Sequence, residues 1–476
     1  MMLTPPFFAR RLALLTLMLA GLSTQAQIIK CGSLNSEAEM RMQRDMAYLA
    51  SDELGGRLPG TPGAELAMAY VIESFQEAGL KPYFKGKYTQ PFSVPRPATA
   101  PAELNGLWRG RHQLKVDEGF LPSPYAHNST VEGKTRYVGH GLVHDASGLN
   151  AYKGKQMDGR IAVMLLNVPF KFKAAVGKAA SMRNRINVAR EHGAIGVLFI
   201  DPTLPRAEVL PTYHPKRTHD LGLPSAIIGT RKASRKMRRN HRSIRLQTTI
   251  IPQSAEAYNV GGYLDMGAEQ TLILGAHYDH IGLGVWGSGK PEAAGQVHNG
   301  ADDNASGTTV LMELARQLSV RDDLQKRNVL FLAFSGEEDG LVGSKHFVNE
   351  GSFDPSVFAY MINMDMVGRL KQGDSLTIFA TSSAAEWSKI IVDMPCDQYQ
   401  IHEVRDLFPR SDHASFARAG LPAIMLFTGF HDDYHRPEDD IEFIDIPGMV
   451  RVAEAALEII RRTQALERLT YMRPGA

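Results

Sequence analysis

From Ala255 onward, short apolar runs alternate with longer segments in which apolar residues recur at helical spacing. Short apolar runs bounded by glycine or polar residues predict buried strands, and helical spacing predicts amphipathic helices. The predicted elements are a strand at 272–276, a helix at 305–318, a strand at 329–334, a helix from Val342, strands at 360–363 and 423–427, and a helix at 450–461. This alternation predicts an α/β fold, with a mixed, mostly parallel sheet and helices on both of its faces.

Two earlier segments, 37–49 and 65–78, also have helical spacing. Between them lies the glycine- and proline-rich stretch 50–63, which predicts a surface loop. We interpret 27–110 as the N-terminal helices of the domain that 251–470 completes.

The sequence changes in character between about Pro95 and Thr249, where short apolar runs are separated by glycine and proline. Strands are predicted at 137–142, 161–166, 196–200 and 225–228, and a helix at 180–193. Acids, histidines and cysteines do not cluster at ligand spacing here, so we interpret 111–250 as an inserted, non-catalytic domain that is small and rich in strands. The basic run 231–239 fits either a solvated helix face or a docking patch for anions.

The first residues have the pattern of a targeting segment. A basic pair, Arg10-Arg11, precedes an apolar run at 12–22 and small residues up to Ala26. Residues 1–26 are therefore predicted to be a signal peptide, since the apolar run is too short to span ~30 Å of hydrocarbon. We expect an exported protein, periplasmic or extracellular, without stable membrane insertion after signal cleavage.

Composition and charge are those of an ordinary globular protein, with 476 residues of which 43% are hydrophobic and 22% charged. The formal net charge of +2 gives no global field that would attract nucleic acid, so no nucleic-acid partner is expected. The two cysteines, Cys31 and Cys396, can form one disulfide in an oxidising compartment or remain free thiols. The sequence does not indicate an oligomeric state.

Candidate metal ligands stand where the predicted strands end. They are His277, Asp303, Glu338, Asp365 and His435. Because ligand crevices of open α/β sheets lie at the carboxyl ends of the strands, we expect these side chains to meet in one site. Imidazole and carboxylate are ligands that zinc accepts. Asp279, two residues after His277, can hold the other ring nitrogen of that histidine.

Two histidines and three acids satisfy the count for two ions, each with one histidine and one carboxylate, that share a bridging carboxylate. The pair Glu337-Glu338 then makes chemical sense, because one carboxylate can bind metal while its neighbour takes a proton from water. The alternative is an exposed acidic turn. The position after an apolar strand and a glycine favours the functional interpretation.

Five motifs occur together: His277-x-Asp279, Gly300-Ala301-x-Asp303-Asn304-Ala305-Ser306-Gly307, Gly336-Glu337-Glu338, Asn363-x-Asp365-x-x-Gly368 and Tyr434-His435. This set resembles that of the co-catalytic dizinc aminopeptidases, the family that also contains glutamate carboxypeptidase. The resemblance extends over 44–80 and 255–461. In addition, 136–229 resembles the protease-associated domain that is inserted in many members.

The resemblance implies two Zn²⁺ per chain. His277 and Asp365 would bind one zinc ion, and Glu338 and His435 would bind the other. Asp303 would bridge the two ions, because the family pattern places the bridge immediately before the position of Asn304 and not at Asp302.

The resemblance also implies roles for neighbouring groups. Glu337 would be the general base and Asp279 would orient His277. Tyr434 would stabilise the oxyanion, as in some members, whereas other members place that role elsewhere. His413 lies in a segment that resembles one near the metals but is not counted as a ligand. A cis peptide bond is implied between Asp303 and the residue after it.

These roles together predict hydrolysis of N-terminal peptide bonds of a peptide substrate. Three alternatives remain. A carboxypeptidase of the same family would use basic groups such as Arg369 and Arg410 to bind a C-terminal carboxylate. A glutaminyl cyclase shares several ligand positions and uses one zinc ion. A non-catalytic binding protein on the same fold would be expected to have lost ligands or the base.

Overall fold

The computed structural model describes residues 32–116, 119–201, 213, 218–238, 241, 243–350, 353–392, 394 and 396–473. The predicted signal peptide at 1–26 lies outside the described residues. Within the described part, no helix combines the length and the apolar character that crossing a bilayer requires.

The strands are β1 Lys81–Pro82, β2 Thr89–Thr99, β3 Gly106–Arg109, β4 His112–Leu114, β5 Phe120–Pro122, β6 Ser129–Tyr137, β7 Val143–His144, β8 Leu149–Asn150, β9 Arg160–Leu165, β10 Ala194–Ile200, β11 Ser225–Ile228, β12 Ser243–Thr248, β13 Ile251–Leu264, β14 Thr271–His277, β15 Asn328–Phe334, β16 Phe358–Met364, β17 Ser375–Phe379, β18 Gln400–Glu403 and β19 Ala423–Phe427. The α-helices are α1 Ser36–Leu49, α2 Pro62–Glu77, α3 Phe170–Val176, α4 Met182–Glu191, α5 Arg231–Met237, α6 Gly307–Ser319, α7 Val342–Asn349, α8 Trp387–Ile391, α9 His413–Arg418 and α10 Ile446–Thr463.

The larger sheet has nine strands in the order β1-β13-β15-β14-β16-β19-β17-β18, with β2 paired to β13. Its four central strands, β15, β14, β16 and β19, run parallel. Antiparallel pairs join β13 to β15 and β17 to β19. Every residue of β14, β15 and β16 is buried, as expected of parallel strands that are covered on both faces. The predicted mixed, mostly parallel α/β sheet is confirmed.

Helices cover both faces of this sheet because alternate strand residues point to opposite sides. Leu272 and Leu274 of β14 lie in the same apolar core as residues of α1, α2, α6 and α10. Ile273, between them, packs instead with Phe347 of α7 and Phe416 of α9. The closing helix α10 is longer at both ends than the predicted 450–461, since its apolar stripe continues to Ile446.

A second sheet of eight strands has the order β4-β3-β12-β6-β9-β10-β11-β5, and apolar clusters lie on its two faces. The antiparallel ribbon formed by β2 and β13 leads from the larger sheet into this one and back. Its strands run from Gly106 to Thr248, close to the predicted 111–250. The domain boundaries, and the likeness of this unit to a protease-associated domain, stay predictions.

The strand predicted at 137–142 is wrong, because β6 ends at Tyr137. Gly139 and Gly141 take φ values of 62° and 65°, so the chain turns where an extended strand was expected. Arg231 to Met237 form a short exposed helix, in agreement with the predicted helix face.

Of the two states considered for the cysteines, the structure has Cys396 in a disulfide. The only other cysteine of the sequence is Cys31, which lies outside the described residues.

Candidate metal centre

The central parallel strands deliver their polar residues to one edge of the larger sheet. His277 is the last residue of β14, and Asp365 directly follows β16. Glu337 and Glu338 come shortly after β15, between this strand and α7. Asp303 lies in a tight turn, Ala301–Ser306, that precedes α6. The structure therefore brings together the candidates from separate elements, as the pattern of strand ends predicts.

One group of metal-capable side chains consists of His277, Asp303 and Asp365. The His277 Nε2 atom lies 3.4 Å from Asp303 Oδ1 and 3.4 Å from Asp365 Oδ1. Two ligands of a tetrahedral zinc ion are about 3.3 Å apart, given zinc–ligand bonds of about 2.0 Å. These separations fit one shared ion.

A second cluster lies on the other side of Asp303. His435 Nε2 is 3.1 Å from Asp303 Oδ2 and 3.1 Å from Glu338 Oε2. His435 takes a φ of 56°, and its other ring nitrogen, Nδ1, lies 3.0 Å from the carbonyl oxygen of Gly287. That contact fixes the ring with Nε2 directed at the two carboxylates. The two oxygens of Asp303 thus face different imidazoles.

Sequence reasoning missed one residue here, His280. This fully buried histidine forms a metal-capable group with Asp303 and Glu338. Its Nδ1 lies 2.9 Å from Glu338 Oε1 and 4.0 Å from Asp303 Oδ2. The available signal was a second histidine only three residues after His277, in the same strand-end loop.

The pKa values of the two neighbouring glutamates are shifted in opposite directions. Burial raises the pKa of the Glu337 carboxyl well above its ordinary value. Burial acts in the same direction on Glu338, but His435 and His280 outweigh it and hold the pKa of Glu338 well below its ordinary value. Glu338 is thus the carboxylate that holds its charge beside imidazoles, and Glu337 is the one suited to take up a proton.

Asp279 contributes through both its main chain and its side chain. Its carbonyl oxygen is the nearer neighbour of His277 Nδ1, at 3.2 Å, and its carboxylate Oδ1 lies 3.8 Å from the same nitrogen. That carboxylate oxygen also accepts the Glu337 N–H at 3.2 Å. Burial raises the pKa of Asp279 to about 8. Asp279 therefore ties the loop after β14 to the loop after β15.

The chain matches known proteins in its C-terminal half. A family model described as "Peptidase family M28" matches residues 259–460. We call these matched residues the M28 region. A probable leucine aminopeptidase of Arthroderma otae is 30% identical over 204 residues, 40% of this chain and 53% of the relative. One of Trichophyton verrucosum is 30% identical over 201 residues, with the same shares. The chain thus spans about half the length of the curated relatives it matches.

Two solved structures share the fold over nearly all of the chain. An aminopeptidase from Aneurinibacillus sp. strain AM-1 has a TM-score of 0.50 and 21% identity, with 92% of this chain and 95% of that chain covered. A zinc aminopeptidase from Bacillus subtilis has a TM-score of 0.52 and 18% identity, with 92% and 96% covered. At these identities the likeness shows the fold alone.

In the M28 region, residues 259–460, the loop that carries Asp303 is held by side chains around it. The Asp439 carboxylate accepts the backbone N–H groups of Asp302 and Asp303, at 3.1 Å each. Asp302 directs its Oδ1 to the N–H of Gly368 at 2.7 Å, away from the metal-capable groups. The peptide bond between Asp303 and Asn304 is cis, so that prediction is confirmed.

Tyr434, a predicted site residue, and His413, which was not counted as a ligand, both lie in the M28 region. The Tyr434 ring stacks on His435, with centroids 4.0 Å apart, and burial with the charge of Asp303 raises the pKa of its phenol. Tyr434 also lines a narrow recess beside Asp303, together with Phe408, Phe427 and Phe430. His413 Nε2 instead lies 2.7 Å from the carbonyl oxygen of Leu407, and burial lowers the pKa of His413 to about 4.

The stretch 50–63, predicted as a surface loop, is partly buried against the M28 region, and this prediction is wrong at Arg57. The side chain is 1% exposed and donates to four main-chain carbonyls. The acceptors are those of Leu49, Tyr278, Asn299 and Gly300. Burial lowers the pKa of the guanidinium to about 10. Arg57 therefore joins α1 to the loop after β14 and to the loop that leads to Asp303.

We expect Arg57→Met to lower the free energy of unfolding by about 3 kcal/mol or more, because it leaves buried carbonyl oxygens without donors. Urea denaturation measures this change. Arg231→Met is a matched control on an exposed helix face, and we expect it to change stability by no more than about 0.5 kcal/mol. Equal effects of the two substitutions would contradict the conclusion that Arg57 stabilises the protein by joining α1 to these two loops.

Proposed function

We propose that this protein is a zinc-dependent aminopeptidase that hydrolyses N-terminal peptide bonds of peptide substrates with two zinc ions per chain. One observation carries the proposal: the two carboxylate oxygens of Asp303 face separate imidazoles, His277 at 3.4 Å and His435 at 3.1 Å. A carboxylate in that position is suited to bridge two ions. The M28 family and the leucine aminopeptidase relatives support the choice of reaction.

The donor set suits zinc. Imidazole and carboxylate are ligands that zinc prefers, and the separations between donor atoms match those of ligands around one ion. His435 Nε2 lies 3.1 Å from both Asp303 Oδ2 and Glu338 Oε2, so one imidazole and two carboxylates are close enough to share an ion. We propose that His277 and Asp365 hold one ion, Glu338 and His435 hold the other, and Asp303 bridges them.

Zinc ions bound there would polarise the scissile carbonyl and lower the pKa of a water molecule. Glu337 takes the proton of the attacking water and returns it to the leaving amine, a task suited to a carboxyl whose pKa is raised by burial. Tyr434 keeps its phenolic proton because its pKa is raised, and donates to the oxygen on which negative charge develops. Asp279 holds His277 and the main chain of Glu337 in place.

Export is part of the proposal. The pattern of residues 1–26 is that of a signal peptide, and Cys396 takes part in a disulfide, which persists in oxidising compartments. We place the protein in the periplasm or outside the cell.

One observation favours a second candidate, a carboxypeptidase. Arg410 lines the recess beside Asp303 and Glu337, where a guanidinium could bind a C-terminal carboxylate. Arg369, the other candidate, is already paired with Asp433 at 2.8 Å and Asp439 at 3.1 Å.

Peptides blocked at one end separate the two activities. We expect the protein to cleave peptides with a free N-terminus and an amidated C-terminus, and to leave N-acetylated peptides intact, because the free amine of the substrate is what the acidic site binds. Product analysis by mass spectrometry measures this. Cleavage of N-acetylated peptides at their last bond would instead favour the carboxypeptidase.

A further inference from the structure

We infer that His280 is a further protein ligand of the second metal position, beside Asp303, Glu338 and His435. The inference rests on the proposed two-zinc function and adds a donor outside the set that the sequence motifs supply. It makes the two positions unequal, with one imidazole at the first and two at the second.

The burial of His280 is the first reason. The side chain is fully buried, and its Nε2 has no hydrogen bond within the described residues. Its Nδ1 instead faces two candidate metal ligands, Glu338 Oε1 at 2.9 Å and Asp303 Oδ2 at 4.0 Å. His298, a buried histidine nearby, shows the contrast, since its Nε2 lies 2.9 Å from Ser288 Oγ and its Nδ1 lies 3.0 Å from the Gln296 carbonyl oxygen, and neither of these is a candidate ligand.

The positions of the donor atoms are the second reason. Ligands of one zinc ion lie about 3–4 Å apart, given bonds of about 2.0 Å. The His280 Nδ1 atom lies 2.9 Å from Glu338 Oε1 and 4.0 Å from Asp303 Oδ2, and the three residues form one metal-capable group. His280 is therefore close enough to both acids for the three side chains to hold one ion.

The orientation of His280 is fixed by its surroundings. Its backbone N–H donates to the Arg57 carbonyl at 3.3 Å. Its ring lies edge to face with His435, with centroids 5.5 Å apart. It also packs so closely on Gly300 that a Cβ there would come within 2.5 Å of the ring. The imidazole is thus preorganised toward the acids and needs no rearrangement to bind an ion.

The deciding measurement is X-ray absorption at the zinc edge on the full protein loaded with zinc and checked for metal content. With His277, His280 and His435 bound to two ions, the average is about 1.5 imidazoles per zinc ion. With His280 outside the coordination sphere the average is about 1.0, and that result in the unsubstituted protein would overturn the inference.

Two substitutions sharpen the test. His280→Ala should lower the count to about 1.0 per ion and weaken binding of the second ion at least 10- to 100-fold, the effect of losing even an outer partner of a ligand. His298→Ala is the matched control and should leave both quantities unchanged. The same measurements separate failure of this inference from failure of the proposed function. A zinc content other than two per chain would contradict the proposed function, whereas two zinc ions with about 1.0 imidazole each would overturn only the role of His280.

Discussion

Replacing Glu337 with glutamine is expected to lower turnover by roughly two to four decades, which is the usual contribution of a general base. Glutamine has nearly the same shape as glutamate but cannot take up the proton of the attacking water. The backbone contact from Glu337 N–H to Asp279 remains possible, so fold and metal content should persist. Steady-state rates on aminoacyl amides, together with zinc content of the same sample, measure both parts of the expectation.

Glu338→Gln provides the comparison, because Glu338 is the adjacent residue and its pKa is shifted in the opposite direction. Its Oε2 lies 3.1 Å from His435 Nε2, and the imidazoles beside it hold its pKa low. We expect this variant to lose metal from the second position. If Glu337→Gln loses zinc and Glu338→Gln retains it, the two roles are reversed.

Asp303→Asn is expected to weaken both metal positions together and to abolish activity at limiting zinc. Its Oδ1 faces His277 and its Oδ2 faces His435, so no other single side chain of the proposed ligand set serves both positions. An amide offers one neutral oxygen in place of two that share a charge, which removes the bridge. Zinc retained after dialysis against a graded series of chelator concentrations measures the loss.

Two variants control for this effect. His435→Ala should empty principally one position. Asp302→Asn changes the neighbouring carboxylate, whose Oδ1 accepts the Gly368 N–H at 2.7 Å, and an asparagine oxygen can accept the same bond. We expect Asp302→Asn to keep both ions. Loss of both ions in Asp302→Asn with retention in Asp303→Asn would move the bridge to Asp302.

The central strands of the sheet could be predicted from short stretches of sequence, because strands that are buried on both faces consist mostly of apolar residues. The runs in β14, β15 and β19 are apolar throughout, and their predicted positions lie within or match the observed strands. The strand predicted at 137–142 is wrong because the chain turns there. Its apolar residues are separated by Gly139 and Gly141, which take positive φ.

Arg57 shows where composition misleads. A stretch rich in glycine and proline is typical of exposed loops, but the same residues let a chain bend closely around a site. The four carbonyls that Arg57 binds come from α1 and two loops far apart in sequence. Which carbonyls converge on one guanidinium depends on how these elements pack, and the local sequence does not contain that information.

The sequence by itself determined the fold class and the candidate ligand set, because strand ends and motif spacing are local properties that each segment carries alone. Only the tertiary structure decided that the two oxygens of Asp303 face different imidazoles, that Glu337 and Glu338 differ in pKa, and that His280 joins the cluster. Distances and burial arise from the packing of residues distant in sequence, and the electrostatics of a carboxyl follow from the charges and water that this packing leaves around it.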